Sequence, residues 1–208
     1  KIHKTSFRVK NRFCHQWVSR DSSGQTDHTN LRHFSVRVFL VGPPGAGKST
    51  VGRHLAAHLQ ATFFDLDEVI QERAGADIPW IFDVEGESGF RDRESAVVND
   101  FASRDNVVIA TGGGVVLRPE NRTVMSSAST VVYLEASLST LVSRTEGKTK
   151  RPLLVGKDVR KVLQEIMAVR APLYREVADI TVASTGGSAK RLAGVIAEKL
   201  KVLNKGEP

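Results

Sequence analysis

From Ser35 onward, short apolar runs alternate with longer stretches in which apolar positions recur every three or four residues. Runs of four or five apolar residues suit strands buried on both faces, and the 3.6-residue period suits helices that cover them. The pattern predicts strands at 37–41, 62–65, 106–110, 130–134 and 180–182. It predicts helices at 49–59, 66–73, 89–103, 120–126, 138–144, 159–177 and 189–203. Alternation of this kind implies an α/β domain, a parallel sheet wrapped on both faces. No repeat or second-domain boundary interrupts residues 35–208.

Two segments stand outside the rhythm. Residues 145–158, TEGKTKRPLLVGKD, form a long connector with four Lys or Arg, two Gly and one Pro, and are expected to be a mobile lid. Residues 1–34 lack a sustained apolar period and are expected to be a disordered extension of a domain spanning 35–208. Their Arg, Ser and scarcity of acid also suit an organellar transit peptide; without a clear amphipathic helix, the preferred reading is sequence extraneous to the domain.

Charge and cysteine usage narrow the classes. The net charge is +7, but residues 1–34 hold seven of the 30 Lys and Arg against two of the 23 acidic residues. That leaves 23 basic against 21 acidic from residue 35 onward, so basicity is no argument for nucleic-acid binding by the domain. No apolar run approaches the roughly 18 residues that span a bilayer, so a soluble protein without a membrane partner is expected. The one cysteine, Cys14, cannot form an internal disulfide, which suits a reducing, cytoplasmic setting.

The chemistry begins between the first predicted strand and helix, where residues 42–50 read GPPGAGKST. In this phosphate-loop pattern Gly42, Gly45 and Gly47 let backbone amides turn inward around the phosphates, which sit at a helix N-terminus. Lys48 then reaches the β and γ phosphates, and Ser49 ligates Mg²⁺. After the second strand, FFDLD offers Asp65 for a metal-bound water and Asp67 for an acceptor hydroxyl. Residues two apart on a strand share a face, so both can point at the phosphates; helix capping by Asp67 is the plainer alternative.

In GFRDRE, Arg91 and Glu94 stand three apart on a predicted helix, a spacing for an ion pair that orients the guanidinium toward a carboxylate. The same spacing equally describes a surface ion pair. Arg93 is expected to face solvent. After the third strand, Gly112, Gly113 and Gly114 permit close approach to the backbone. Arg170 lies late in the helix 159–177, in VRAPLYR.

In order and interval, GPPGAGKST, FFDLD, GFRDRE, ATGGG, KRPLL and RAPLYR resemble the shikimate kinase family over about residues 36–200. The resemblance implies a single-domain P-loop kinase fold with a five-stranded parallel sheet in the order 2-3-1-4-5, flanked by helices and bearing a lid. A monomer is the default expectation for an enzyme of this size, and the resemblance implies transfer from MgATP to the 3-hydroxyl of shikimate. Carried to this chain, it puts Gly45 to Thr50 on the ATP phosphates, Lys48 on the transferred group, Ser49 on Mg²⁺ and Asp65 on the metal through water. Asp67 orients or deprotonates the attacking hydroxyl, while Arg91, Arg170 and the glycines at 112, 113 and 114 hold the substrate. Glu94 braces Arg91, Arg151 swings over the phosphates and Arg144 lies against adenine. One departure is Ala189, where family members often have proline in the adenine loop. Rival readings are a gluconate or nucleotide kinase of the same fold, and a regulatory nucleotide-binding module without turnover. Paired arginines with an aspartate suit a hydroxylated carboxylic acid better than a base, and a pure binder needs no acceptor residues.

Overall fold

The computed structural model describes residues 36–145 and 158–205. The expectations for residues 1–34, for Arg151 and for all of the lid but its ends fall outside that range. Five strands form one parallel sheet: β1 (Arg37–Val41), β2 (Thr62–Asp65), β3 (Val107–Ala110), β4 (Thr130–Glu135) and β5 (Ile180–Ala183), in the order β2-β3-β1-β4-β5. The helices are α1 (Lys48–Leu59), α2 (Leu66–Ala74), α3 (Ile78–Phe101), α4 (Pro119–Ala128), α5 (Leu138–Thr145), α6 (Val159–Val177) and α7 (Ala189–Lys205). None is long and apolar enough to cross a membrane, among the described residues.

Strand β1 shows why the layers form. Its side chains alternate in direction, so Val38 and Leu40 enter a core with Leu55, Ile196 and Leu200, whereas Phe39 and Val41 enter the opposite core with Phe101, Tyr133 and Tyr174. Strand β1 pairs with β3 on one side and β4 on the other; the chain leaves β1 for β2 on the β3 side, whereas it leaves β4 for β5 on the opposite side. The crevice outside the carboxyl end of such a switch point is where α/β sheets bind ligands.

Three differences from the sequence pattern have local causes. Asn106 is a turn residue with φ 55°, a left-handed conformation that Asn tolerates, and its Nδ2 donates to Gln60 O at 3.0 Å. Helix α3 starts at Ile78, well before the predicted 89, because Asp77 accepts from Trp80 N at 3.0 Å and Pro79 sits in the first turn. Gly86 then leaves helical geometry (φ 71°, ψ −179°), and this kink breaks the apolar period that would have revealed the first half. A 3₁₀ turn, Val115–Leu117, was not predicted.

Gly52 inside α1 is fixed by space: a Cβ there would stand 2.5 Å from the Phe63 ring and 3.1 Å from Leu40 Cδ1. Gly52→Ala gains up to about 1 kcal/mol of helix propensity but overpacks the helix–sheet contact by about 1–3 kcal/mol. The expected outcome is a lower melting temperature, measured by thermal denaturation.

Candidate active site

Strand β1 delivers the phosphate loop to the crevice. Gly47 takes φ 93°, ψ 20° as N-cap of α1, a conformation that costs glycine little. The helix has no side-chain cap and no acidic residue in its first turn. Its first amides and its positive dipole end therefore remain open to an anion. Lys48 is buried and its Nζ donates to Gly42 O at 2.7 Å and Pro43 O at 3.0 Å, so the ammonium lies over the loop. Ser49 Oγ donates to Asp65 Oδ2 at 2.5 Å, and Thr50 stands exposed on the rim. Ala46 differs from its neighbours and from the expectation of phosphate contact: it is fully buried, its N–H donates to Pro43 O at 3.2 Å and its carbonyl accepts from Ser184 Oγ at 2.8 Å, so it supports the loop from beneath.

Arg144, at the end of α5, lies along the loop rather than away from it. Its Nη1 donates to Ser184 Oγ at 3.0 Å and to Gly45 O and Ala46 O at 3.3 Å, and Ser184 Oγ donates to Ala46 O at 2.8 Å. Ala189 is the first residue of α7 and faces the same cleft.

The two aspartates converge by a route the strand argument did not supply. Asp65 is the last residue of β2, whereas Asp67 is already in α2. Asp65, not Asp67, is the helix cap: its Oδ1 accepts from Asp67 N at 3.1 Å while Oδ2 holds Ser49. One carboxylate thereby joins the phosphate loop to the start of the acceptor helix.

Beyond the kink, α3 places Arg91 and Glu94 inward. Arg91 Nη1 donates to Glu94 Oε2 at 2.7 Å, with side chains 9% and 1% exposed, which excludes the surface-pair reading. Glu87 holds the other edge, accepting from Arg91 Nη2 at 3.0 Å and Nε at 3.3 Å. Burial disfavours the charged guanidinium, but Glu94 and Glu87 outweigh it and raise the proton affinity of Arg91. Burial pushes the Glu94 carboxyl up, Asp67 adds to that, and Arg91 and Arg170 pull it down. Arg93 points away, pairing with Glu85 at 2.7 Å, 40% exposed.

Glycines 112 to 114 form the facing wall, and each is crowded. A Cβ on Gly112 would meet Glu94 Oε1 at 2.8 Å and Asp67 Oδ1 at 2.9 Å; one on Gly114 would meet both terminal nitrogens of Arg91 at 2.3 Å. Glu94 Oε1 has no hydrogen-bond partner among the described residues. Arg170 of α6 and the apolar side chains Ile78, Pro79, Phe82 and Phe90 complete a cleft of about 970 Å³ that runs continuously to Lys48 and Ser49.

The sequence pattern of the shikimate kinase family matches residues 44–201. The chain belongs to the shikimate kinase family. It is 53% identical over 165 residues to a shikimate kinase of Halorhodospira halophila, covering 79% of this chain and 93% of that one. It is 52% identical over 164 residues to a Vibrio cholerae shikimate kinase, covering 79% and 94%. The Acinetobacter baumannii shikimate kinase structure in complex with shikimate superposes with a TM-score of 0.80 at 43% identity, covering 84% of this chain and 97% of that one. Membership sets aside the gluconate-kinase, nucleotide-kinase and regulatory-module readings. Sequence reasoning did not single out the apolar wall of α3 in this shikimate kinase cleft, nor Glu87 and Tyr174 behind its lining. Glu87 stands four residues before Arg91 and Tyr174 four after Arg170, the spacing that brings helical neighbours together.

Proposed function

We propose that this cleft transfers the γ-phosphoryl group of MgATP to the 3-hydroxyl of shikimate, with the residues above divided into a donor and an acceptor half. The carrying observation is continuity: one cleft is lined at one end by the phosphate loop and Lys48 and at the other by Asp67, Arg91, Arg170 and the glycine wall. The open N-terminus of α1 and the Lys48 ammonium take the phosphates. Ser49 and Asp65 present two hard oxygen donors side by side, which fits Mg²⁺, a cation that keeps several waters and takes phosphate oxygens for the rest. When bound, Mg²⁺ neutralises charge that develops on the transferred group.

In the acceptor half, Arg91 and Arg170 grip the substrate carboxylate. Two guanidinium groups are needed, since Glu94 already compensates Arg91 at 2.7 Å. Asp67 orients the attacking hydroxyl and takes its proton as the new oxygen–phosphorus bond forms and the bond to ADP breaks. In a loose transition state, alignment and charge neutralisation supply most of the acceleration. Arg144 positions the nucleotide side of the loop; the phosphate contact that the resemblance implies for Arg151 lies outside the described residues. A monomer acting in the cytoplasm completes the reading.

ADP release is measured with ATP and Mg²⁺, with and without shikimate. At least a hundredfold stimulation by shikimate is expected, on the order of one well-aligned acceptor displacing slow water attack. Shikimate-independent release, or none from folded protein, would sink the reading.

A further inference from the structure

We infer that Tyr174 is a positioning residue that locks the two sides of the acceptor site to each other, Arg170 on helix α6 and the Gly113 backbone on the glycine wall. The inference rests on the proposed role of Arg170 and Gly113 in holding the acceptor. The Tyr174 hydroxyl donates to Gly113 O, sixty-one positions away in the chain. The Arg170 side chain stands one helical turn earlier on the same face of α6, near enough for its positive charge to act on the phenol. Arg170 and Gly113 both line the cleft, whereas Tyr174 does not and is fully buried behind them.

The phenol is itself immobile. Its ring stacks on Tyr133 with centroids 5.2 Å apart and planes 25° apart, and Tyr133 is anchored in the middle of β4. Burial pushes the proton affinity of the Tyr174 phenol up, so it stays a neutral donor at any working pH. A neutral hydroxyl can donate to a carbonyl and accept from a guanidinium at once, which neither an apolar nor a charged side chain can do. A flexible arginine has many rotamers, and a fixed acceptor beside it restricts them before the carboxylate arrives.

Tyr174→Phe keeps the stacked ring and removes only the hydroxyl. The expected result is a shikimate KM raised about tenfold, with kcat down less than about threefold and the MgATP KM within about twofold of wild type. A merely structural role would move both KM values or lower the melting temperature without this split. Arg170→Ala should itself raise the shikimate KM, and adding Tyr174→Phe to it should cost less than about a further threefold, because the arginine being positioned is gone. An unchanged shikimate KM in Tyr174→Phe, or the full tenfold increment on top of Arg170→Ala, overturns the positioning role. An unchanged shikimate KM in Arg170→Ala overturns the acceptor-site reading and this inference with it. Should Tyr174→Phe fail to fold, Arg170→Lys decides: it keeps the charge but lacks the fork that serves phenol and carboxylate together. A several-fold rise in shikimate KM supports the inference; a wild-type KM rejects it.

Discussion

Asp67→Asn is expected to lower kcat by about three orders of magnitude, within the range for loss of a positioned proton acceptor, while MgATP affinity stays within about twofold. The amide has the size of the carboxylate but cannot take the hydroxyl proton. The fold should not suffer. The backbone N–H of residue 67 keeps its bond to Asp65 Oδ1, and Asp65 remains the cap of α2. Removing the charge also takes away one of the influences that push the Glu94 carboxyl up, so its ionised, Arg91-paired form becomes easier to hold. A melting temperature at or above wild type is the corollary. The check is kcat from ADP release alongside nucleotide affinity by calorimetry. Parallel loss of turnover and nucleotide binding would contradict an acceptor-side role and move Asp67 to the donor half.

The donor half was legible in the sequence because its chemistry is local. The phosphate loop is one run of consecutive residues leading from a strand into a helix, and 42–50 contain it whole. Strand limits were equally readable where burial on both faces left unbroken apolar runs, as in β1. The acceptor half is assembled from β2, α2, α3, the β3 end and α6, and only motif resemblance tied those pieces together. What stayed hidden follows from non-local geometry. Two glycines in the middle of α3 disguised its first half, which carries the apolar wall and Glu87. Periodicity could not separate a buried Arg91–Glu94 pair from a surface one, since the same i, i+3 spacing serves both. Tyr174 reads as one more apolar position of α6 until β3 brings Gly113 O to its hydroxyl.

Gly114→Ala is expected to raise the shikimate KM about a hundredfold and to destabilise the protein by about 3 kcal/mol, the scale of breaking a buried ion pair. The backbone is not the obstacle, because φ −99°, ψ −3° suits alanine. The obstacle is the Arg91 guanidinium, whose carbon and terminal nitrogens lie 2.3–2.4 Å from the new methyl position. Either the arginine or the loop must move. The loop is tethered by Thr111 Oγ1 to Leu40 O at 3.0 Å, by Leu117 N to Gly114 O at 2.9 Å and by Tyr174 to Gly113 O. Three tethers against one guanidinium favour movement of Arg91. That leaves Glu94, 1% exposed, without its 2.7 Å partner and turns the fork away from the substrate carboxylate. The double mutant with Arg91→Ala tests the cause: with the guanidinium removed, alanine at 114 has room, and the second substitution should add less than about threefold to the shikimate KM. An undiminished hundredfold penalty in that background would show that the methyl group acts on the glycine wall itself.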